Sequence, residues 1–285
     1  MILLDLSQVI IAAAQAQFSR VRPSEFTEDF FRHMALNTIR ANNVKYRGKY
    51  GEMVLCADAR SYWRKDEFPH YKASRKALKA ASKFPWDEFH EWFTRLKEDL
   101  RTVFPYKLIL VDKAEADDVI GALTMRYAAH EPIIILSADG DFQQLQKYSG
   151  VTQFSPKRGG TLKCKNVQEY LREHIIRGDK GDGIPNVFSD PDTFVCPEKR
   201  QTAIKKVDMA DWIKMPKKEF CQVAGVDIER YELNERLVDL HKMPDELFGA
   251  IIAEYNTVET GNKNKILTYF MKHRMKLLTD CLPDF

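Results

Sequence analysis

Four apolar runs, far apart in the chain, each lead to carboxylates. Residues 1–4 run into Asp5, and residues 53–57 run into Asp58. Residues 108–111 are followed after a short turn by Glu115, Asp117 and Asp118, and residues 133–138 by Asp139 and Asp141. Continuous β-branched and apolar runs of this length predict strands buried on both faces, the pattern of a parallel sheet. When helical crossovers join such strands, their C-terminal ends all lie on one edge. The four runs therefore deliver Asp5, Asp58, Glu115, Asp117, Asp118, Asp139 and Asp141 to one crevice. Carboxylates held that close raise one another's pKa unless cations fill the space between them. The pattern predicts a site for a hard divalent ion, Mg²⁺ or Mn²⁺.

The length of 285 residues suits one large domain or two small ones with a real core, and 44% hydrophobic with 30% charged residues suits a soluble globular chain. A net charge of +3 is too small to draw nucleic acid by overall field, so such affinity must lie in local patches. Five cysteines, odd in number and without a C-x-x-C pair, predict free thiols in a reducing, cytoplasmic compartment and argue against zinc. The N-terminus lacks the basic start and long apolar core of a signal peptide, and no run reaches roughly 18 apolar residues, so no membrane contact is expected. The seven histidines show no ligand spacing and read as structural or surface residues.

Ser7 is placed to cap a helix over 8–18, and Thr27 a second helix with Phe31, Met34, Ala35, Thr38 and Ile39 on one face. After Pro85, the residues Phe89, Trp92, Phe93, Leu96, Leu100 and Val103 repeat at helical spacing. Residues 59–85 differ: eight Lys/Arg stand against two acids, with Tyr62, Trp63, Phe68 and Tyr71 interleaved. Their poor apolar periodicity predicts a loop or a loosely packed helical arm. Residues 151–155 and 162–163, around Gly159-Gly160, read as a hairpin. From about Asn166 the pattern is mostly helical, which divides the chain into 1–165 and 166–285.

Five motifs stand in order: LLDLSQ at 3–8, VLCADARSYWRKD at 54–66, EADDVI at 115–120, SADGDFQQL at 137–145 and RGDKGDGIPN at 177–186. Together they resemble the 5′ nuclease family, which includes flap endonucleases and the 5′-nuclease domains of bacterial DNA polymerases. Within it the motifs are most similar to the ribonuclease H branch of T-even bacteriophages, over nearly the whole chain. The resemblance implies an α/β, PIN-like 5′ nuclease fold, with a mostly parallel central sheet flanked by helices. It also implies a C-terminal helical region with a helix–two-turn–helix-like DNA-binding element. Asp5, Asp58, Glu115, Asp117, Asp118, Asp139 and Asp141 match the family's acids, and Asp179 and Asp182 match the last two. A pair of Mg²⁺ ions is the implied cofactor, with Mn²⁺ able to substitute. Mg²⁺ keeps several waters, so nine acids do not all bind directly. Asp58, Asp117, Asp139 and Glu115 are expected near one ion. Asp5, Asp141, Asp179 and Asp182 are expected to hold the other, largely through waters. Asp118 either caps its helix or supports a ligand.

Tyr71-Lys72-Ala73-Ser74-Arg75 resembles an element of the family's arch, a gateway over the active site that here spans about 59–85. Lys72, Arg75 and Arg64 are expected to pair with the scissile phosphate and its neighbours and to stabilise transition-state charge. Tyr71, Trp63 and Phe68 are expected to stack on unpaired bases. For Lys76, Lys79 and Lys83 a solvated face or general phosphate attraction is the preferred reading. The turn bearing Gly178, Lys180, Gly181 and Gly183 resembles the entry to the helix–two-turn–helix element. Its glycines would let backbone N–H groups approach phosphate without reading base sequence, and a monovalent cation is a further expectation there. The chain then departs from the family pattern. Gly183 replaces a common Asn, and the usual glycine ladder is missing from the residues that follow. Lys199, Arg200, Lys205 and Lys206 fit phosphate contacts and a solvated basic face equally well.

The expected activity is that of a monomeric, structure-specific 5′-3′ exonuclease and flap endonuclease with RNase H activity. It would act on duplex DNA with a 5′ end or flap and on RNA–DNA hybrids during lagging-strand replication, in the host cytoplasm if phage-encoded. Metal-assisted hydrolysis would leave 3′-hydroxyl and 5′-phosphate ends. A single-strand DNA-binding protein is an implied partner. Contact with a sliding clamp is not expected, because the chain starts at its first strand without the relatives' short extension. Three other readings fit the residues less well. A PIN-class ribonuclease has fewer acids and no GDKGD turn. A haloacid-dehalogenase phosphatase needs D-x-D, where Leu6-Ser7 follow Asp5 here. An inactive DNA-binding protein would not need the full set of acids.

Overall fold

The computed structural model describes residues 1–285. Its strands are β1 (Ile2–Asp5), β2 (Met53–Cys56), β3 (Lys107–Ile109), β4 (Ile133–Leu136), β5 (Val151–Ser155) and β6 (Gly160–Leu162). They form one sheet in the order β3-β2-β1-β4-β5-β6, parallel except for the β5–β6 hairpin. β1, β2 and β4 are buried throughout, and their side chains alternate between two cores, as a pleated strand requires. Ile2, Leu4, Met53, Leu55, Ile134 and Leu136 face one core; Leu3, Val54, Ile133 and Ile135 face the other. Each such side chain contributes about 2 kcal/mol by leaving water.

The first core is covered by α1 (Leu6–Phe18), α2 (Glu28–Tyr50) and, after the short helices α3 (Trp63–Glu67) and α4 (Arg75–Ala80), by α5 (Trp86–Thr102). The second is covered by α6 (Ala116–Tyr127). Thr27 caps α2 as expected, accepting from the Phe30 N–H at 3.3 Å. The cap of α1 is Asp5 rather than Ser7: β1 turns into helix at once, and the Asp5 carboxylate accepts from the Gln8 N–H at 3.0 Å. No helix is long and apolar enough to cross a membrane.

The basic segment has a packed root and an open tip. Phe68 and Tyr71 are buried in a third cluster with Ile175 and Ile176 of α7 (Val167–Arg177) and with Phe220, Tyr231 and Leu237, whereas α4 buries nothing. Between Arg177 and Lys206 no helix forms. That stretch is organised by Asn186, 1% exposed, which bonds Gln201, Thr202, Phe188 and Ser189. One buried amide thus replaces a run of glycines as the organiser of the loop. The remaining helices spread over all three clusters: Ile266, Tyr269 and Phe270 join the first, Leu247 and Ile251 the second, and Phe220 and Leu237 the third.

Candidate metal centre and nucleic-acid interface

The chain steps outward from β1 to β2 and β3, then returns to the far side of β1 at β4. A crevice opens at the strand C-termini where the order reverses. Asp5 ends β1, Asp58 follows β2, Asp117 lies in the first turn of α6, and Asp139 and Asp141 follow β4. These five and the Asp179 and Asp182 of the turn after α7 line one cleft. Hydrogen bonds of ordinary length position several of them. Ser137 Oγ donates to Asp5 at 2.9 Å and accepts from the Asp139 N–H at 3.1 Å. Asp139 accepts from the Asp141 N–H at 3.0 Å, and Asp58 from the Ala116 N–H at 3.0 Å.

These carboxylates resist ionising together. Burial, then the charges of Asp58 and Asp139, push Asp5 up to about 7. Burial pushes Asp141 to about 8, against the pull of His174 and with the help of Asp139, Asp182 and Asp179. Burial and the neighbouring Asp139 raise Asp117 well above the usual carboxylate range, and burial also raises Asp139. A mostly oxygen donor set that is short of positive charge fits hard divalent ions.

Glu115 and Asp118 sit behind this cleft and do not line it. Glu115 accepts from Arg64 and from the Tyr71 hydroxyl, each at 2.9 Å, and pairs with Lys72. Asp118 accepts from the Glu115 N–H, from Arg64 and from the Trp63 indole, so it caps α6 rather than meeting an ion. Their placement beside α6 turns both carboxylates inward, where side-chain donors already satisfy them.

Arg64 is a correction to the phosphate-contact expectation. Its side chain is 2% exposed and is held by Glu115, Asp118 and the Leu237 carbonyl at 2.9 Å. Burial opposes its charge, but Asp118, Tyr71 and Glu115 outweigh that and hold its pKa above the ordinary value. The stacking expectation for Tyr71, Trp63 and Phe68 fails likewise: all three are buried, and the single Tyr71 hydroxyl proton is shared between Glu115 at 2.9 Å and Asp182 at 2.7 Å. None can stack on a base without unpacking a core, the third cluster for Phe68 and Tyr71 and the second for Trp63.

Lys72 and Arg75 do line the cleft, both beside Asp182. Burial works against the Lys72 charge, but Asp182, Glu115 and Asp117 outweigh it and raise its pKa. In the glycine turn, Gly178 and Gly183 serve internal contacts rather than an open approach to phosphate. Both have positive φ. A Cβ on Gly178 would lie 2.3 Å from the Ile184 carbonyl oxygen, and one on Gly183 would lie 3.0 Å from that of His70. The Lys72 N–H bonds the Asp182 carbonyl at 2.7 Å, which ties the turn to the root of the arch. Lys180 and Gly181 remain exposed.

Sequence reasoning missed part of the lining. His90, Phe93 and Lys97 of α5, together with Lys79, form a wall of the cleft. Their i, i+3, i+7 spacing was the available signal, hidden by the stronger core stripe of Phe89, Leu96 and Leu100. His174 was also missed. It stands between Asp141 and Asp179, contacts that no local spacing announces.

Comparison with known proteins identifies the family and the fold. Residues 6–174 match the family model of the 5′-3′ exonuclease N-terminal resolvase-like domain, and residues 169–285 match that of the T4 RNase H C-terminal region. The chain is 30% identical over 291 residues to the ribonuclease H of Enterobacteria phage T4, covering 99% of this chain and 95% of that protein. It is 32% identical over 154 residues to a 5′-3′ exonuclease of Streptomyces coelicolor, covering 47% of this chain and 50% of that one. In fold it is similar to T5 5′-exonuclease with bound zinc ions, at a TM-score of 0.61 and 17% identity over 90% of this chain and 98% of that one. A T5 flap endonuclease in complex with DNA and metal ions has the same fold, at a TM-score of 0.60 and 17% identity, covering 90% of this chain and 99% of that one. The chain belongs to the 5′-3′ exonuclease family.

Proposed function

We infer that this chain is a divalent-metal-dependent 5′ nuclease, a structure-specific 5′-3′ exonuclease and flap endonuclease with RNase H activity. Its substrates are duplex DNA with a 5′ end or flap and RNA–DNA hybrid, and it works as a monomer. A single-strand DNA-binding protein is the partner the family likeness suggests. The observation that carries the reading is the convergence of seven carboxylates on one cleft edged by Lys72 and Arg75. Bound at such carboxylates, Mg²⁺ ions lower the pKa of a water and stabilise a leaving oxygen. Asp5, Asp141, Asp179 and Asp182 would hold one ion, and Asp58, Asp117 and Asp139 the other. Glu115 acts from behind, holding Lys72 at the cleft edge. Lys72 and Arg75 leave Asp182 for the scissile phosphate and donate to the oxygens on which charge grows. Lys180 and the exposed backbone at Gly181 meet a neighbouring phosphate. Such contacts read backbone alone, so binding is independent of sequence and weakens with salt.

The test is cleavage of matched 5′-flap, nicked-duplex and RNA–DNA hybrid substrates, with and without Mg²⁺. Cleavage of the flap and hybrid that requires Mg²⁺ is the expected result. Preference for single-stranded RNA would transfer the chain to the PIN-class ribonucleases. Asp141→Asn is expected to abolish cleavage while duplex binding survives; unchanged cleavage refutes the metal assignment.

A further inference from the structure

Beside the cleft, one imidazole touches two of its carboxylates. His174 lies in the last turn of α7 with its side chain 12% exposed. Its Nδ1 is 3.3 Å from Asp141 Oδ1, and its Nε2 is 3.2 Å from Asp179 Oδ2. Nδ1 is enclosed and has no hydrogen-bond partner. One donor atom from each of Asp141, His174 and Asp179 falls within 4.8 Å of the others. The ring is held from behind. Tyr170 meets it edge-on at 6.0 Å, and the Tyr170 hydroxyl donates to the Gly140 carbonyl at 2.9 Å. A Cβ on Gly140 would come within 2.8 Å of that hydroxyl, so the loop bearing Asp139 and Asp141 is fitted to this face of α7.

An imidazole that served only to balance two carboxylates would bond both. Here Nε2 bonds one carboxylate, while Nδ1 faces another without a bond. That is the arrangement in which a histidine binds a metal through one nitrogen while a carboxylate holds its other N–H. Two donors at adjacent positions around a first-row divalent ion, each about 2.1 Å from it, stand about 3 Å apart. Nδ1 and Asp141 Oδ1 are close to that spacing.

We propose that His174 is a direct ligand, through Nδ1, of the divalent ion that Asp141 also holds, with Asp179 fixing the ring through Nε2. The nitrogen makes this position favour a transition-metal ion such as Mn²⁺ or Co²⁺ over Mg²⁺, which gains little from imidazole. Ligation takes the neutral form of Nδ1, so any proton there leaves to solvent as the ion binds. The proposal rests on the metal-dependent reading of the same cleft.

The test is pulsed electron paramagnetic resonance of Mn²⁺ bound to the full chain, together with Mn²⁺ and Mg²⁺ affinities measured by titration. Histidine nitrogen coupling is expected in the wild type. It should persist in His90→Gln and vanish in His174→Gln. Mn²⁺ affinity should fall about tenfold or more in His174→Gln, with Mg²⁺ affinity changed much less. Should His174→Gln misfold, His174→Asn takes its place, and the wild-type spectrum is decisive in either case. Bound Mn²⁺ without nitrogen coupling overturns the role of His174 and leaves the metal centre standing. No Mn²⁺ binding at all overturns both.

Discussion

Two basic side chains meet Glu115, and their surroundings separate their roles. Arg64 is enclosed between Glu115, Asp118 and a backbone carbonyl. Arg64→Ala leaves two buried carboxylates short of a partner and is expected to cost about 3–5 kcal/mol. The drop should be read as a lower denaturation midpoint, with DNA affinity of the folded protein unchanged. Lost DNA affinity at full stability would return Arg64 to the phosphate. Lys72 reaches Glu115 from the cleft side, and in Lys72→Ala that carboxylate keeps Arg64 and Tyr71. Single-turnover cleavage should fall about 10²–10³-fold while duplex affinity, followed by fluorescence anisotropy, stays near wild type. Equal falls in both would make Lys72 a binding contact only. Asp5, Asp58, Asp117, Asp139 and Asp141 were legible in the sequence because they follow apolar runs, and Asp179 and Asp182 only through the motif they share with the family. The division between Arg64 and Lys72 was not. The carboxylate partners of Arg64 lie 51 and 54 residues away and its carbonyl partner 173, and a basic stretch looks the same whether its charges face inward or outward.

At the scale of elements, Asp5 does two jobs. It caps α1 and carries a charge that the metal-free fold does not favour. Asn caps a helix as well as Asp does. Asp5→Asn is therefore expected to match or exceed the wild type in metal-free thermal stability near neutral pH while losing cleavage. A large loss of stability would mean that the cap, rather than the charge, dominates at this position. The strands and the major helices were readable from period and run length. The turn after α7 was readable as glycine-rich but not in its purpose. Whether a glycine faces phosphate or the protein's own carbonyl depends on what packs against it, here Ile184 and Pro185 at Gly178. The long stretch before Lys206 was unreadable for a similar reason, since a single buried Asn186 holds it together through partners up to Thr202.

For the whole molecule, the cleft ties stability to pH and to metal. Asp5 near 7 and Asp141 near 8 stand above their unfolded values, as does His174, raised to about 9 by Asp179 and Asp141 against its burial. In all three the folded state binds the extra proton, so metal-free stability falls as pH rises from about 4 to about 9. Asp179 has the opposite sign. Its burial is outweighed by His174 and backbone N–H groups, so its pKa is lowered, and its contribution is lost only in acid. The rise in melting temperature on adding Mg²⁺ should therefore be larger near pH 8 than near pH 6. A rise independent of pH would show that the ion binds away from these groups.

Ile266, Tyr269 and Phe270 lie in the same cluster as Ile2 and Leu4 of β1, and Leu247 and Ile251 in that of Leu3, so the C-terminal helices contribute to the cores on both faces of the sheet. Neither core is complete without residues from beyond position 240. A fragment ending near residue 166 would expose apolar surface on both faces and aggregate rather than cut. Grafting the C-terminal half onto another nuclease would transplant part of its foundation, not a detachable reading head.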